Sequence, residues 1–303
     1  MNTQSSFGAD TVRTFASGLR FPEGPAVDRD GSLIVPEIEG GALARVRPDG
    51  TAETVAEVGG GANGCAFGPD GAIYVCNNGG YTFAEADGMR FPVGIPEGYV
   101  GGSLQRVDPV SGAVDVVFTE SEGVRLGGLN DIVFDETGSC YIMDTTVGAI
   151  HYADLAAGTI RVVASGLRGP NGGGLSPDGT RLYVSETYTG RVRVWDVAGP
   201  GKLVELPDLY QHPSRDLHVY WDGLAVDGDG NVCVADLPSS GVAVLGADGE
   251  VRGRFTLPVN DRYVTNLCFG GPKGDTAYVC SGGRGVIYEV QWPWPGHRLH
   301  FQP

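Results

Sequence analysis

One pattern recurs six times along this chain and constrains its fold more than any other feature. It is an apolar run, a turn of the x-Asp-Gly kind, and a second run rich in β-branched or aromatic residues. The copies read PEGPAVDRDGSLIV from Pro22, ANGCAFGPDGAIYV from Ala62, LNDIVFDETGSCYI from Leu129, PNGGGLSPDGTRLYV from Pro170, WDGLAVDGDGNVCV from Trp221 and TNLCFGGPKGDTAYV from Thr265. Two such runs around a glycine-bearing turn are the signal for a β-hairpin, because the turn needs a residue that tolerates positive φ and strands favour branched side chains. A single hairpin cannot bury its apolar face alone, so six of them imply a repeat architecture in which each unit stacks on the next.

The residues at the second position of the copies are Glu23, Asn63, Asn130, Asn171, Asp222 and Asn266, spaced 40, 67, 41, 51 and 44 residues apart. A four-stranded blade takes about 40–45 residues, so four intervals hold one blade each and the interval of 67 holds a blade and an insertion. Third and fourth strands are readable in five units: ALARVRP and ETVAEV, SLQRVDP and VDVVFTE, AIHYADL and IRVVAS, RVRVWDV and KLVELP, GVAVLGA and VRGRFTL. The sixth unit has only GVIYEVQW, and the N-terminal TVRTFAS, which belongs to no other unit, supplies its fourth strand. Joining the two ends in this way leaves no open sheet edge. The prediction is an all-β chain, a single six-bladed β-propeller over residues 1–303 with almost no helix. The 50 glycines and 19 prolines sit at turns between strands rather than in low-complexity tracts. Two segments fall outside the pattern, the insertion at residues 77–102 and the connection at 199–220, and both are expected to overhang one face.

With 21 basic and 37 acidic residues the net charge is −16, which repels nucleic acid and anionic membranes. The N-terminal residues lack a basic segment followed by an apolar one, and no stretch approaches the ~18 apolar residues of a membrane span. A soluble, cytoplasmic protein is expected. The six cysteines fall inside predicted strands without C-x-x-C spacing, so they read as buried, reduced thiols.

In a propeller the first strand of each blade lines the central channel, which places the six second-position residues in a ring at one mouth. That ring holds two carboxylates and four carboxamides. Hard cations bind through such oxygens, whereas zinc and copper recruit imidazole or thiolate. Asn and Asp also cap turns before strands, which accounts for one such residue more easily than for six in register. The residues closing the second strands, Glu37, Asn77, Asp144, Glu186, Asp236 and Ser281, form an outer ring expected to position substrate or to support the inner ring.

Taken together, FPEGPAVDRDG, LNDIVFDETG, GPNGGGLSPDGTRLYVSET and WDGLAVDGDGNVCVAD resemble the senescence-marker-protein/gluconolactonase family of six-bladed propellers, regucalcin-like proteins included, in order and spacing over nearly the whole chain. The resemblance implies one divalent metal, calcium first and zinc, manganese or magnesium as alternatives, and hydrolysis of a lactone. It implies Glu23, Asn171 and Asp222 as core metal ligands, with Asn130 beside the metal. Asn130, Asn63, Asp144 and Arg125 are the candidate substrate contacts. Sugar-lactone hydrolases of the family carry an Arg two residues before the equivalent of Asn130, where this chain has Gly128; the departure points to a less hydroxylated or bulkier lactone.

The reaction expected is metal-assisted opening of a cyclic ester, with Asp222 as the base that takes a proton from water and Glu23 as the second choice. A nucleophilic serine is not indicated, since no G-x-S-x-G occurs, and His218, four residues before Asp222, is the histidine nearest the ring in sequence. The alternatives are a related calcium-propeller esterase or phosphotriesterase, a non-catalytic binding propeller, and a purely structural metal.

Overall fold

The computed structural model of the chain describes residues 6–8, 10–214 and 217–303. Among these there is no helix, and the strands form six antiparallel sheets of four or five strands arranged as a six-bladed β-propeller, with two separate two-stranded hairpins. Blade one comprises Ala26–Val27, Leu33–Glu37, Ala42–Val46 and Ala52–Glu57; blade two Ala62–Phe67, Ile73–Asn77, Ser103–Val107 and Val114–Phe118. Blade three comprises Leu129–Phe134, Cys140–Asp144, Ala149–Asp154 and Thr159–Ser165; blade four Pro170–Leu175, Arg181–Glu186, Arg191–Gly199 and Lys202–Glu205. Blade five comprises Trp221–Val226, Val232–Asp236, Gly241–Leu245 and Val251–Thr256. Blade six takes Val264–Gly270, Thr276–Ser281 and Val286–Gln291 from the C-terminal end and Arg13–Ser17 from the N-terminal end, paired from Arg13 opposite Glu289 to Ser17 opposite Val286. The ladder that would otherwise be an open edge on Val286–Gln291 is thereby closed.

Packing follows from this stacking. Each of six buried clusters draws its members from two neighbouring blades, so the core is a closed ring of interfaces. Ile34 and Leu43 of blade one meet Phe67, Ile73 and Val75 of blade two, and Leu33 and Val35 of blade one meet Tyr278 and Ile287 of blade six. A strand in the middle of a blade is therefore covered on both faces. Ile73–Asn77, Cys140–Asp144 and Val232–Asp236 are buried at every position, which is why they read as unbroken apolar runs instead of alternating ones. The outermost strands Ala52–Glu57 and Lys202–Glu205 are mostly exposed and carry charges. Each fully buried Leu or Ile contributes about 1.5–3 kcal/mol. All six cysteines are buried and free. No helix among the described residues is long and apolar enough to cross a membrane.

The insertion at 77–102 carries a hairpin, Thr82–Ala86 and Met89–Gly94. It reaches from blade two back over blades one and six. Phe83 packs on Phe21 with ring centroids 5.0 Å apart, the Arg90 backbone N–H donates to the Gly283 carbonyl at 2.8 Å, Arg284 donates to the Asp87 carbonyl at 3.0 Å, and Arg90 pairs with Glu39. These contacts fix the hairpin as a wall over the channel mouth. The connection at 199–220 contributes Leu217, His218 and Val219 to the same mouth; its residues 215 and 216 lie outside the described residues.

Candidate functional site

The register between the first two strands of each blade decides which side chains face the mouth. The pairs at that end are Pro22 with Glu37, Ala62 with Asn77, Leu129 with Asp144, Pro170 with Glu186, Trp221 with Asp236 and Val264 with Ser281. The next residue on each first strand leaves the ladder at an irregularity and turns toward the channel. Those residues are Glu23, Asn63, Asn130, Asn171, Asp222 and Thr265, and all six line one chamber of about 700 Å³.

Thr265 stands where the sequence pattern placed Asn266. The hairpin of blade six has one more ladder pair than the others, Gly270 opposite Thr276, so counting back from its turn lands one residue too deep. Asn266 belongs to a second layer beneath the ring, in register with Gly24, Gly64, Asp131, Gly172 and Gly223. The glycines make room for the two polar members. A Cβ on Gly223 would lie 2.1 Å from Asn266 Cγ, and one on Gly64 2.4 Å from Asp131 Oδ1. Asn266 Nδ2 donates to Glu23 Oε2 at 3.2 Å, and Asp131 accepts the N–H of Gly173 at 3.2 Å and of Ile132 at 3.0 Å. Asp131 was missed by reading types at the second position alone. The signal was in the third position, where four copies have Gly and LND has Asp.

Three hydroxyls from preceding blades tie down the ring's backbone. Thr265 Oγ1 donates to the Pro22 carbonyl at 2.7 Å, one residue before Glu23. Thr145 Oγ1 donates to the Pro170 carbonyl at 2.7 Å, one residue before Asn171. Ser185 Oγ donates to the carbonyl of Asp222 itself at 2.6 Å. Glu23, Asn171 and Asp222 are thus each held across a blade boundary.

Charge at the chamber floor is concentrated and poorly solvated. Burial first, then the charges of Asp222 and Asp131, hold Glu23 well above the ordinary carboxylate range, against the opposing hydrogen bonds from Asn266 and Gly24. Burial pushes Asp222 up to about 8, opposed by the Asn171 side chain and reinforced by Asp131. Asp131 is raised to about 6 by burial, against the hydrogen bonds from Gly173, Ile132 and Asn266. Buried acceptors also lack donors here. Glu23 Oε1, Asn63 Oδ1, Asn130 Oδ1 and Asn171 Oδ1 have no hydrogen-bond partner among the described residues, although buried acceptors are nearly always satisfied. Carboxylates that resist ionisation beside unpaired amide oxygens are a donor set suited to a hard cation. Among the described residues no three His, Cys, Asp or Glu side chains converge to hold an ion by themselves; in this ring carboxamides complete the oxygen set.

Other expected contacts sit elsewhere. The outer ring does not line the chamber, because its side chains are occupied by the loops leading into the blades. Glu37 accepts the N–H of Arg20 at 2.6 Å, Asn77 that of Gly61 at 3.1 Å, Asp144 that of Gly127 at 2.7 Å and Glu186 that of Arg168 at 2.9 Å. Asp144, expected as a substrate contact, is fully buried, and its carboxylate holds the loop at Gly127. Arg125 also turns away, donating from Nε and Nη2 to the Val100 carbonyl at 3.1 and 2.8 Å. His218 is exposed on the chamber wall. Gly128 leaves less room than its size suggests. A Cβ there would meet Thr146 Oγ1 at 2.6 Å, and the Tyr81 hydroxyl from the insertion lies 3.8 Å from it.

A gluconolactonase of Zymomonas mobilis is 26% identical over 88% of this chain and 78% of its own length. The diisopropyl-fluorophosphatase of Loligo vulgaris is 27% identical over 61% of this chain and 64% of its own. A solved gluconolactonase structure from Xanthomonas campestris shares the fold, with a TM-score of 0.75 at 20% identity over 94% of this chain and 91% of that one. Residues 21–283, which include all six ring positions, match the SMP-30/Gluconolactonase/LRE-like region, and the chain belongs to that family.

Proposed function

We propose that the protein is a lactonase that works with a divalent cation held in the ring. The observation that carries this reading is the set of buried oxygens without donors at the floor of a chamber, in a chain of this family. Glu23, Asn171 and Asp222, with Asn130, are the residues that would hold the ion. A mixed carboxylate and amide set suits calcium, with manganese or magnesium next, while the absence of His and Cys from the ring disfavours zinc. When bound, the ion supplies positive charge beside the lactone carbonyl oxygen.

The chain's own groups account for the rest. Asn63 and Asn130 present carboxamides to the chamber that can orient the ester. Asp222 takes the proton of the attacking water as its oxygen bonds to the carbonyl carbon. It returns that proton to the ring oxygen as the ring C–O bond breaks, giving a hydroxy acid. Glu23 is the second candidate for this step.

The test is pH-stat hydrolysis of a lactone panel by metal-stripped protein, with calcium, zinc, manganese or magnesium restored singly. Turnover should vanish on stripping and return with calcium. Full turnover without metal would refute the dependence, and an Asp222→Ala protein that folds, binds the ion and hydrolyses at the wild-type rate would remove Asp222 from its role. Similarity to the Loligo vulgaris diisopropyl-fluorophosphatase favours a phosphoester as the second substrate class, so the panel includes a phosphotriester.

A further inference from the structure

Above its polar floor most of the chamber wall is carbon. Phe21, Phe83 and Tyr263 form one wall, with Phe21 centred 5.0 Å from Phe83 and 5.7 Å from Tyr263. Leu217 and Val219, on the segment leading into blade five, form a second apolar part of the lining, 39% and 44% exposed. In a chain of net charge −16, large apolar side chains left open around a cavity mark a surface that something apolar covers. The hydroxyls near the floor are largely committed. Thr145 and Thr265 spend their protons on the Pro170 and Pro22 carbonyls, and Thr187 Oγ1 accepts from Asn171 Nδ2 at 3.1 Å. Above them the polar groups of the lining are His218, Asn260, Arg262 and the hydroxyls of Tyr81, Tyr188 and Tyr263. Asn63 and Asn130 can meet the hydroxyls of a polyhydroxylated ring at the floor, but those turned toward Phe21, Phe83, Leu217 and Val219 would meet carbon, and unpaired buried hydroxyls weaken binding. An alkyl or aryl substituent in the same place would release ordered water and gain contact on both walls.

We infer that the lactone this site takes carries an apolar alkyl or aromatic substituent, which lies between the insertion hairpin and the segment around Leu217 and Val219. The inference rests on the lactonase reading and narrows it. Tyr81, which also lines the chamber, borders the same region: its hydroxyl lies 3.8 Å from where a Cβ on Gly128 would stand.

The experiment compares kcat/KM, by pH-stat with calcium present, for three six-membered lactones: unsubstituted δ-valerolactone, alkyl-substituted δ-decalactone and polyhydroxylated glucono-δ-lactone. The alkyl lactone should exceed the polyol by at least tenfold. Val219→Ser and Phe83→Ala should each reduce the ratio of alkyl to unsubstituted turnover severalfold; Val219 lies on an exposed segment, so its variant reads the wall even where Phe83→Ala perturbs the hairpin. Equal or faster turnover of the polyol would overturn this inference and leave the lactonase reading standing. An unchanged ratio in folded Val219→Ser and Phe83→Ala proteins would also overturn it. Hydrolysis of none of the three would overturn both readings together.

Discussion

Replacing Thr265 by Val tests how the ring is held. The side chain is 1% exposed, and its Oγ1 reaches across the closure between blades six and one to the Pro22 carbonyl at 2.7 Å. Val fills nearly the same volume, so no cavity complicates the result; what is lost is the donor to a buried carbonyl next to Glu23. Leaving such a group unsatisfied costs about 1–3 kcal/mol. A chain of this length unfolds with an entropy near 0.6 kcal/mol/K at about 2.1 cal/mol/K per residue, so Tm should fall by about 2–5 °C. Where the loss is felt at the Glu23 carboxylate, calcium affinity falls too, by about tenfold for each 1.4 kcal/mol. The assays are thermal melting in chelator and in calcium, and calorimetric titration of the ion. Thr265→Ser, which keeps the hydroxyl, should retain most of the affinity. A Val variant with wild-type Tm and wild-type calcium affinity would refute the reasoning, as would a Ser variant that binds as poorly as Val.

Stability of the metal-stripped protein should fall as pH rises from about 5.5 to 8. Asp222 and Asp131, raised to about 8 and about 6, and Glu23, raised well above its ordinary value by burial, keep protons in the folded state that the unfolded chain has already released near its ordinary carboxylate values, so stability declines through that window. Calcium should flatten the slope, and melts in chelator that rise or stay level with pH would contradict this account. Gly172→Ala should destabilise by about 1–3 kcal/mol or more, because its Cβ would lie 2.1 Å from the Leu224 backbone nitrogen; denaturant melts check it, and a neutral result would show that blades four and five can separate at the axis. The six buried cysteines, whose thiols burial keeps protonated, for example Cys65, Cys76 and Cys280, should react with a thiol reagent only at the rate of unfolding. Fast labelling in native buffer would place at least one of them in contact with solvent.

How much was legible beforehand differs between elements. The repeated strand–turn–strand pattern sets short apolar runs between glycine turns that can be counted, so the blades and their middle strands are legible in the sequence. The ring was readable where the count from turn to channel is constant, at Glu23, Asn63, Asn130, Asn171 and Asp222. It failed at blade six, where one added ladder pair moved Thr265 into place and sank Asn266. For Asp144 and Arg125, expected as substrate contacts, residue type could not show the local partners: the Asp144 oxygens accept the Gly127 and Val147 N–H groups, and Arg125 donates to the Val100 carbonyl.

By itself, then, the sequence determined the architecture, the number of units and the chemical character of the ring, because these depend on local periodicity and on residue types that recur in register. Tertiary structure alone decided which residue of each bulge faces the axis, which hydroxyls reach across blade boundaries to hold Glu23, Asn171 and Asp222, and that an insertion in blade two supplies Phe83 as chamber wall against Phe21 of blade one. Those are contacts between residues far apart in the chain, from Thr265 to Pro22 most plainly, and they come into being only when the two ends of the ring meet.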